Sequence, residues 1–177
     1  MTTTSTSSTQ VAGTRPVDPT LFRKACGEFL TGVTVVTSLD RDGRPVGFTA
    51  NAFSSVSLDP PMVLVCLGRS ASSYPALEAA DRFAVHVMAE PHEEIVGTFA
   101  RSASEGIDKF GSVAWAPADA SGLPLLEDYL SRFQCRITDR HEAGDHVIIV
   151  GEVEDVDVAE DQAPPIGYFR GKFERLR

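Results

Sequence analysis

Short runs of apolar and β-branched residues, separated by turn residues, recur along the chain and predict more strands than helices. The first element is an exception. Asp18 followed by Pro19 predicts a helix start, because the Asp side chain can cap free amides and Pro suits the first helical position. The apolar residues behind this start share one helical face: Leu21, Phe22, Ala25, Cys26, Phe29 and Leu30. The pattern stops at Gly32, where we expect helix to give way to strand.

Residues 33–38 are rich in β-branched side chains and predict the first strand. The Asp-Gly pair within 40–44 favours a tight hairpin turn because Gly tolerates a positive φ, so a second strand should begin near Pro45. Further strands are expected at 54–58, 62–67, 82–88, 130–138, 146–158 and 166–173. Short helices are expected at 72–80 and 91–100.

These elements lack the regular alternation of strand and helix that builds a parallel sheet. The order predicts a mainly β fold, an antiparallel barrel with a few peripheral helices, rather than a doubly wound sheet. A single domain over 18–177 accounts for the pattern. Residues 1–17 are mostly Thr, Ser and small residues, and we expect a disordered N-terminal tail there.

Composition and charge limit the cellular locations and the binding partners that we expect for this protein. A formal charge of -9 over 177 residues argues against a nucleic-acid partner, because binding phosphates requires a concentrated basic surface. The longest apolar run, at 62–67, is far shorter than the roughly 18 residues of a membrane-spanning helix. Residues 1–15 lack the basic and apolar regions of a secretory signal, so we expect none there. Cys26, Cys66 and Cys135 form no CxxC pair, which suits a reducing compartment. We therefore expect a soluble, cytoplasmic protein.

Basic residues are scattered except near the C-terminus. Arg170, Lys172, Arg175 and Arg177 alternate through a predicted strand, so we expect them to share one face. This face either attracts a phosphate-bearing ligand or is simply a solvated strand edge.

Several common catalytic motifs are absent. The sequence contains no GxGxxG or GxxxxGK[ST] phosphate loop, so any nucleotide is held without a Rossmann or P-loop site. It has no HExxH, and His86, His92, His141 and His146 lie on separate predicted elements, which makes a metal site improbable. No GxSxG elbow is present to expose a nucleophilic Ser.

The segment 47–67 is the most informative stretch. Its first half, GFTANAFSSVS, reads as a strand with more hydroxyl and amide side chains than a buried strand needs, and it leads into Asp59-Pro60-Pro61. Such groups along a sheet edge can hydrogen-bond a phosphate or the polar rim of a flat cofactor. Ordinary turn and solvent-facing positions would have the same composition, so the residues alone leave both interpretations open.

Four motifs resemble the short-chain flavin reductase family, the reductase partners of two-component flavin-dependent monooxygenases. They are FLTGVTVVT at 29–37, GFTANAFSSVSLDPPMVLVCL at 47–67, Gly144-Asp145-His146, and YFRGKF at 168–173. They occur in the family's order and the resemblance covers about residues 18–175. It implies a split β-barrel homodimer that binds FAD or FMN near the subunit interface and reduces it with NADH or NADPH.

The resemblance also implies which residues bind the cofactors. Flavin-ring contacts would come from Thr34, Phe48, Thr49, Ala50 and Asn51; ribityl or phosphate contacts from Ser54, Ser55, Ser70, Ser72 and Ser73; and neighbouring-strand contacts from Cys66, Leu67, Gly68 and Arg69. Lys109 and Phe110 resemble a basic-aromatic pair near the flavin phosphate, although a loop Lys is often only solvated.

His146 resembles the family residue beside the nicotinamide and is the one candidate for a catalytic role, with a capping or turn His as the alternative. Tyr168, Phe169 and Arg170 would complete the pyridine-nucleotide side by stacking and phosphate pairing, or they would pack at the dimer interface. Because hydride passes directly between stacked rings, no protein nucleophile is needed.

The expected function is therefore an NAD(P)H:flavin oxidoreductase that supplies reduced flavin to a separate monooxygenase. A flavin carrier of the same barrel without turnover is the alternative. A related split-barrel oxidase acting on a pyridoxal-type substrate is a third possibility, and it predicts a denser basic phosphate site than the sequence contains.

Overall fold

The computed structural model describes residues 16–102, 106–160 and 163–175. The predicted tail at 1–17 therefore lies outside the described residues except for Pro16 and Val17, and Arg177 lies outside them as well. Among the described residues, no helix has the length and apolar character to cross a membrane.

The described chain forms twelve strands and three α-helices. The helices are α1 (Pro19–Cys26), α2 (Tyr74–Ala79) and α3 (Glu93–Ala100), the last preceded by a short 3-10 turn at Glu90–His92. The strands are β1 (Thr31–Gly32), β2 (Thr34–Leu39), β3 (Pro45–Ala50), β4 (Phe53–Leu58), β5 (Pro61–Gly68), β6 (Arg82–Val87), β7 (Trp115–Pro117), β8 (Pro124–Leu126), β9 (Ser131–Ala143), β10 (His146–Val158), β11 (Ile166–Phe169) and β12 (Lys172–Arg175).

Seven strands form one antiparallel sheet in the order β3-β2-β6-β9-β10-β5-β4. A three-stranded sheet, β1-β11-β12, and the pair β7-β8 lie beside it. The predicted mainly β, antiparallel fold with few helices is confirmed. The large sheet curls, because side chains from β3 at one end of the order pack with side chains from β5 near the other end. It does not close: in the described residues no strand pairing joins β3 to β4.

Strand β2 lies at the centre of the core, with successive side chains buried on opposite faces. Val36 packs inside the curled sheet with Phe48, Val65 and Phe83. Val35 points the other way, into a second cluster beneath α3. Apolar residues on both faces explain why 33–38 lacks the alternation of a half-buried strand.

Gly47 permits the close contact between β3 and α3. A Cβ at this position would lie 2.7 Å from a ring carbon of Phe99 and 3.0 Å from the Val36 carbonyl oxygen. Both distances are too short for a side chain, so only Gly allows the buried Phe99 ring to pack directly on the strand.

Helix α1 ends at Cys26, four residues before the predicted face ends, so the helical prediction for Phe29 and Leu30 was wrong. Gly27 follows as the C-cap, and its carbonyl oxygen accepts from the Arg170 amide at 2.9 Å. A helix ends readily at Gly, and here the C-terminal hairpin takes up the carbonyl.

The strand predicted over 166–173 is instead a hairpin. Arg170 and Gly171 both have positive φ, 49° and 80°, and they turn β11 back onto β12. Arg170 therefore lies in the turn, and Lys172 and Arg175 point to opposite faces of β12 because they are an odd number of residues apart. The prediction of one shared basic face was wrong. Sequence patterns also missed the three-residue strands β7 and β8.

His86 on β6 is fully buried between β2 and the end of β8. Its Nδ1 lies 3.1 Å from the Val35 carbonyl oxygen, and its Nε2 accepts from the Leu126 amide at 3.0 Å. Because Nε2 accepts, the ring is neutral and carries its proton on Nδ1. Burial lowers the pKa of His86 to about 4.

This burial predicts a loss of stability in mild acid. The unfolded chain takes up a proton on His86 near pH 6.5 and the folded chain only near pH 4, so stability is lost as pH falls through this window, by about 2 kcal/mol at pH 5. Chemical denaturation at pH 7.5 and pH 5 would measure the loss. His86→Gln, which cannot titrate, should show a shallower pH dependence, whereas the exposed control His141→Gln should match wild type. Equal pH dependence in all three would contradict the assignment.

Candidate active site

The main candidate site lies where the sheet stays open. The chain leaves β3, bends at Asn51 and Ala52, and enters β4, so the two sheet edges meet at this bend. A cavity of about 370 Å³ opens beside it, between β3 and the end of β5. Twelve of the predicted site residues line this cavity: Phe48, Thr49, Ala50, Asn51, Cys66, Leu67, Gly68, Ser70, Ser72, Ser73, Lys109 and His146.

Small and apolar side chains form the floor. Phe48 and Leu67 are buried members of the core, whereas Ala50, Ala52 and Gly68 bring the backbone close to the open space. The Thr49 hydroxyl donates to the Val96 carbonyl oxygen at 2.7 Å, which ties β3 to α3. The floor is therefore built largely from small side chains, apolar side chains and backbone.

One end of the cavity collects hydroxyls and cations. Ser70, Ser72 and Ser73 follow β5, and Arg101 and Lys109 come from the far side. The Lys109 Nζ donates to the carbonyl oxygens of Phe99 (3.0 Å) and Gly47 (3.2 Å). These two hydrogen bonds fix the ammonium group at the cavity wall next to β3 and α3.

Ser73 has an unusual environment for a polar side chain. It is 4% exposed, and its Oγ makes no hydrogen bond within the part of the chain that the structure describes. A buried hydroxyl without a partner destabilises a protein unless something else bonds to it. Together with the neighbouring cations, it indicates a site for an anionic, oxygen-rich group.

His146 stands at the other side of the cavity, as the first residue of β10. A tight turn with Gly144 at φ 65° brings it back beside β5, where it pairs with Gly68. The His146 ring lies over β5 at Gly68, with Nε2 3.6 Å from the position that a Cβ would occupy, which is an ordinary van der Waals distance.

Asp145 orients this ring. Its Oδ1 lies 2.7 Å from the His146 Nδ1, and this hydrogen bond is the main cause that lowers the pKa of Asp145. A carboxylate only accepts, so Nδ1 carries a proton and Nε2 is the nitrogen that remains for a ligand.

Three predicted residues near the bend lie outside the cavity. Thr34 is buried and its hydroxyl donates to the Ala50 carbonyl oxygen at 2.8 Å. Thr34 and Ser54 line a separate apolar groove of about 650 Å³, which shares Asn51 and Ala52 with the cavity. Ser55 is exposed on β4 and lines neither space.

Arg69 and Phe110 also point elsewhere. The Arg69 guanidinium pairs with Glu142 at 2.6 Å, and its backbone amide donates to the Asp145 carbonyl oxygen. Phe110 is buried edge-on between Phe99 and Trp115, so its ring belongs to the second core cluster.

Tyr168, Phe169 and Arg170 lie on β11 and its turn, beside α1 rather than beside the cavity. Tyr168 pairs with Thr31 and packs against Phe173. Arg170 forms a bidentate pair with Glu28 and stacks on the Phe169 ring. In one chain these three residues therefore do not meet His146.

Sequence analysis missed several residues that line the cavity: Ala52, Ala71, Phe99, Ala100, Arg101 and Ser102. Most lie at the end of α3, where the predicted helix was treated as peripheral. Arg101 directly follows α3, and in the sequence a basic residue at the end of a helix is only a weak indication of a binding site. The packing of α3 on β3 is what brings Arg101 to the cavity.

No group of three or more His, Cys, Asp or Glu side chains suited to a metal ion occurs among the described residues. Cys66 lines the cavity, and burial raises the pKa of its thiol. Raising the pKa disfavours the thiolate, so Cys66 acts as wall rather than nucleophile.

Comparison with known proteins identifies relatives of this chain. A relative from Rhizobium meliloti (strain 1021), described as "Probable flavin reductase", is 48% identical over 136 residues, which are 77% of this chain and 42% of the relative. The chain thus spans less than half the length of that relative. The "Flavin-dependent monooxygenase, reductase subunit HsaB" of Mycobacterium tuberculosis is 36% identical over 89% of this chain and 82% of its own length.

A solved structure extends the likeness to the fold. The Streptomyces globisporus NADH:FAD oxidoreductase SgcE6, in complex with NAD and FAD fragments, superposes with a TM-score of 0.82 at 36% identity. The match covers 93% of this chain and 98% of that one. The family model described as "Flavin reductase like domain" matches residues 26–177. This chain therefore belongs to the flavin reductase-like family, and its curled, unclosed sheet is the split-barrel fold of that family.

Proposed function

We propose that this chain, through a single domain over 18–177, is an NAD(P)H:flavin oxidoreductase that transfers hydride from NADH or NADPH to FAD or FMN. The observation that supports this most directly is one cavity with three distinct parts. It has a floor of small residues, an end rich in hydroxyls and cations, and a carboxylate-oriented His146. SgcE6, named an NADH:FAD oxidoreductase, supports the same activity here.

The cavity residues fit a flavin. The floor around Ala50 and Gly68 would face the isoalloxazine, because an aromatic ring system needs a flat contact surface that does not protrude. The unpartnered Ser73 Oγ, together with Ser72 and Lys109, would hold the phosphate, which accepts hydrogen bonds and carries negative charge. Phe48, Thr49 and Asn51 would set the position of the ring along β3.

The chain contributes geometry rather than covalent chemistry. When bound, the flavin accepts hydride from the nicotinamide. The backbone of β3 and β5 would fix the ring plane, which is the main requirement for a transfer between stacked rings at roughly 3 to 3.5 Å. His146 would present Nε2 to the nicotinamide side, with Asp145 holding the ring in one tautomer.

Absorbance at 340 nm, followed with NADH or NADPH and excess free FAD or FMN, tests this proposal. We expect flavin-dependent oxidation of at least one pyridine nucleotide. A protein that binds flavin but oxidises neither nucleotide would be a carrier of the same fold, and the reductase proposal would then be wrong.

Removing the His146 ring should slow hydride transfer while flavin affinity stays largely intact, since His146 stands at the opposite side of the cavity from Ser73. We expect His146→Ala to lower the rate of the stopped-flow reduction phase by about tenfold or more. Asp145→Asn should reproduce part of this loss, because the amide can hold either His tautomer and Nε2 would no longer be kept unprotonated. An equal loss of flavin affinity in His146→Ala would reassign His146 to a structural role.

We also propose that the protein is a homodimer. Helix α1 has no buried residue, and its apolar side chains Leu21 and Phe22 are 62% and 61% exposed. Phe29, which follows on the rim of the apolar groove, is 76% exposed. An amphipathic helix normally packs its apolar face, so a second copy is the partner that would cover this one. The Tyr168–Arg170 turn beside α1 would belong to the same interface.

Light scattering coupled to size-exclusion chromatography tests the dimer. Wild type should elute with twice the mass of one chain, and Leu21→Glu with Phe22→Glu should shift it to monomer because two charges would be buried. Val158→Glu is the matched control, since Val158 is similarly exposed but belongs to β10 and not to α1. Wild type that is monomeric at all concentrations, or a control that dissociates equally, would contradict this interface.

We propose further that reduced flavin passes to a separate monooxygenase, as the description of the Mycobacterium tuberculosis relative as a reductase subunit supports. A cytoplasmic location fits this activity, because the three described cysteines are free thiols and pyridine nucleotides are intracellular reductants.

A further inference from the structure

A second, smaller cavity of about 190 Å³ adjoins the phosphate end of the main cavity. The two cavities share Ser72, Ser73 and Lys109 as lining residues. The second cavity continues past them along β3 and the loop before Phe110. The anion-binding groups therefore lie between two spaces and do not close the end of one.

The walls of the second cavity are mostly apolar. Val46 and Pro45 from β3, and Ile107 and Phe110 from the loop, line it. The loop that carries Ile107 is held in place, because the Asp108 Oδ1 accepts from the amides of Phe110 (3.1 Å) and Gly111 (3.0 Å). The cavity is thus preformed and suits a flat, weakly polar group.

A ligand that fills both cavities must have a flat ring at each end and negative charge in the middle. FMN ends at its phosphate, so it would leave the second cavity unused. FAD continues through a second phosphate to adenosine, which places two phosphates beside Ser73 and Lys109 and a purine beyond them.

We propose that the cavity between Val46 and Ile107 binds the adenosine half of FAD, and that this chain selects FAD over FMN. The inference rests on the proposed function, since it assumes a flavin in the main cavity. The observation that supports it does not depend on that function. The buried Ser73 Oγ, which has no hydrogen-bond partner in the described protein, belongs to a residue that lines both cavities.

Charge favours the same choice. The phosphate of FMN is a monoester with about -1.5 to -2 charge near pH 7, concentrated on one group. The two phosphates of FAD form a pyrophosphate, in which each phosphate carries about one negative charge, so a similar total charge is spread over a greater length. The junction offers two hydroxyls, Ser72 and Ser73, and one cation, Lys109, and the second cavity also contains the Asp108 carboxylate, so a highly charged monoester is less well matched there than singly charged phosphates.

Isothermal titration of the flavin-free protein with FAD, FMN and riboflavin separates the contributions of ring, phosphate and adenosine. We expect FAD to bind about tenfold or more tightly than FMN, and riboflavin to bind weakest. Ile107→Asn, which makes one wall polar without adding charge, should lower FAD affinity and leave FMN affinity unchanged. Ile107→Val, the conservative control, should keep the preference for FAD.

Ser73→Ala tests the junction separately. Because the hydroxyl has no partner in the described protein, its removal should not lower the melting temperature. It should still weaken the binding of both FAD and FMN while leaving riboflavin unaffected. A loss of affinity shared equally by riboflavin would contradict a phosphate contact at Ser73.

Equal affinity for FAD and FMN, or an equal effect of Ile107→Asn on both, would overturn the adenosine site. The reductase proposal would survive that result if either flavin supported NADH or NADPH oxidation. Conversely, selective FAD binding without turnover would uphold the adenosine site and remove the reductase proposal, so the two failures can be distinguished.

Discussion

The open sheet is the constraint on which the rest of the structure depends. Strands β3 and β4 are consecutive in the chain, yet they form the two opposite edges of one seven-stranded sheet. Only the bend at Asn51 and Ala52 joins them. If hydrogen bonds closed this gap, the strands would occupy the space of the main cavity. The site therefore exists because the barrel is left split.

An open strand edge leaves backbone groups without strand partners, and neighbouring elements satisfy several of them here. Lys109 donates to the Gly47 carbonyl oxygen, and the Thr34 hydroxyl donates to that of Ala50. The Thr49 hydroxyl donates in turn to the Val96 carbonyl oxygen in the middle of α3. Phe99 can approach because position 47 has no side chain. The helix predicted to be peripheral thus holds the cavity wall in place.

The sequence predicted elements well where a pattern is local. The Asp-Gly turn and the long strand at 146–158 appear as expected, because turn chemistry and period-two burial act between near neighbours. Predictions failed where a distant contact decides the outcome. Gly27 ends α1 with its carbonyl bonded to Arg170, and a positive φ at Arg170 converts a predicted strand into a hairpin.

The same distinction applies to the site. Residues at 48–51 and 66–68 lie on strands that the fold brings together, so one motif identified many of them. Cations were harder to assign, because a guanidinium reaches several ångströms and its direction depends on tertiary partners. Arg69 turns to Glu142, while Arg101, which no motif indicated, faces the cavity.

The bend at Asn51 and Ala52 also connects the cavity with the apolar groove beside α1, since both spaces share these two residues. A molecule seated in that groove would lie against the same backbone that forms the cavity floor. Subunit association and flavin binding would then depend on one short segment. This arrangement explains why exposed apolar residues concentrate beside α1, and it makes the split in the sheet the common boundary of the ligand site and the proposed interface.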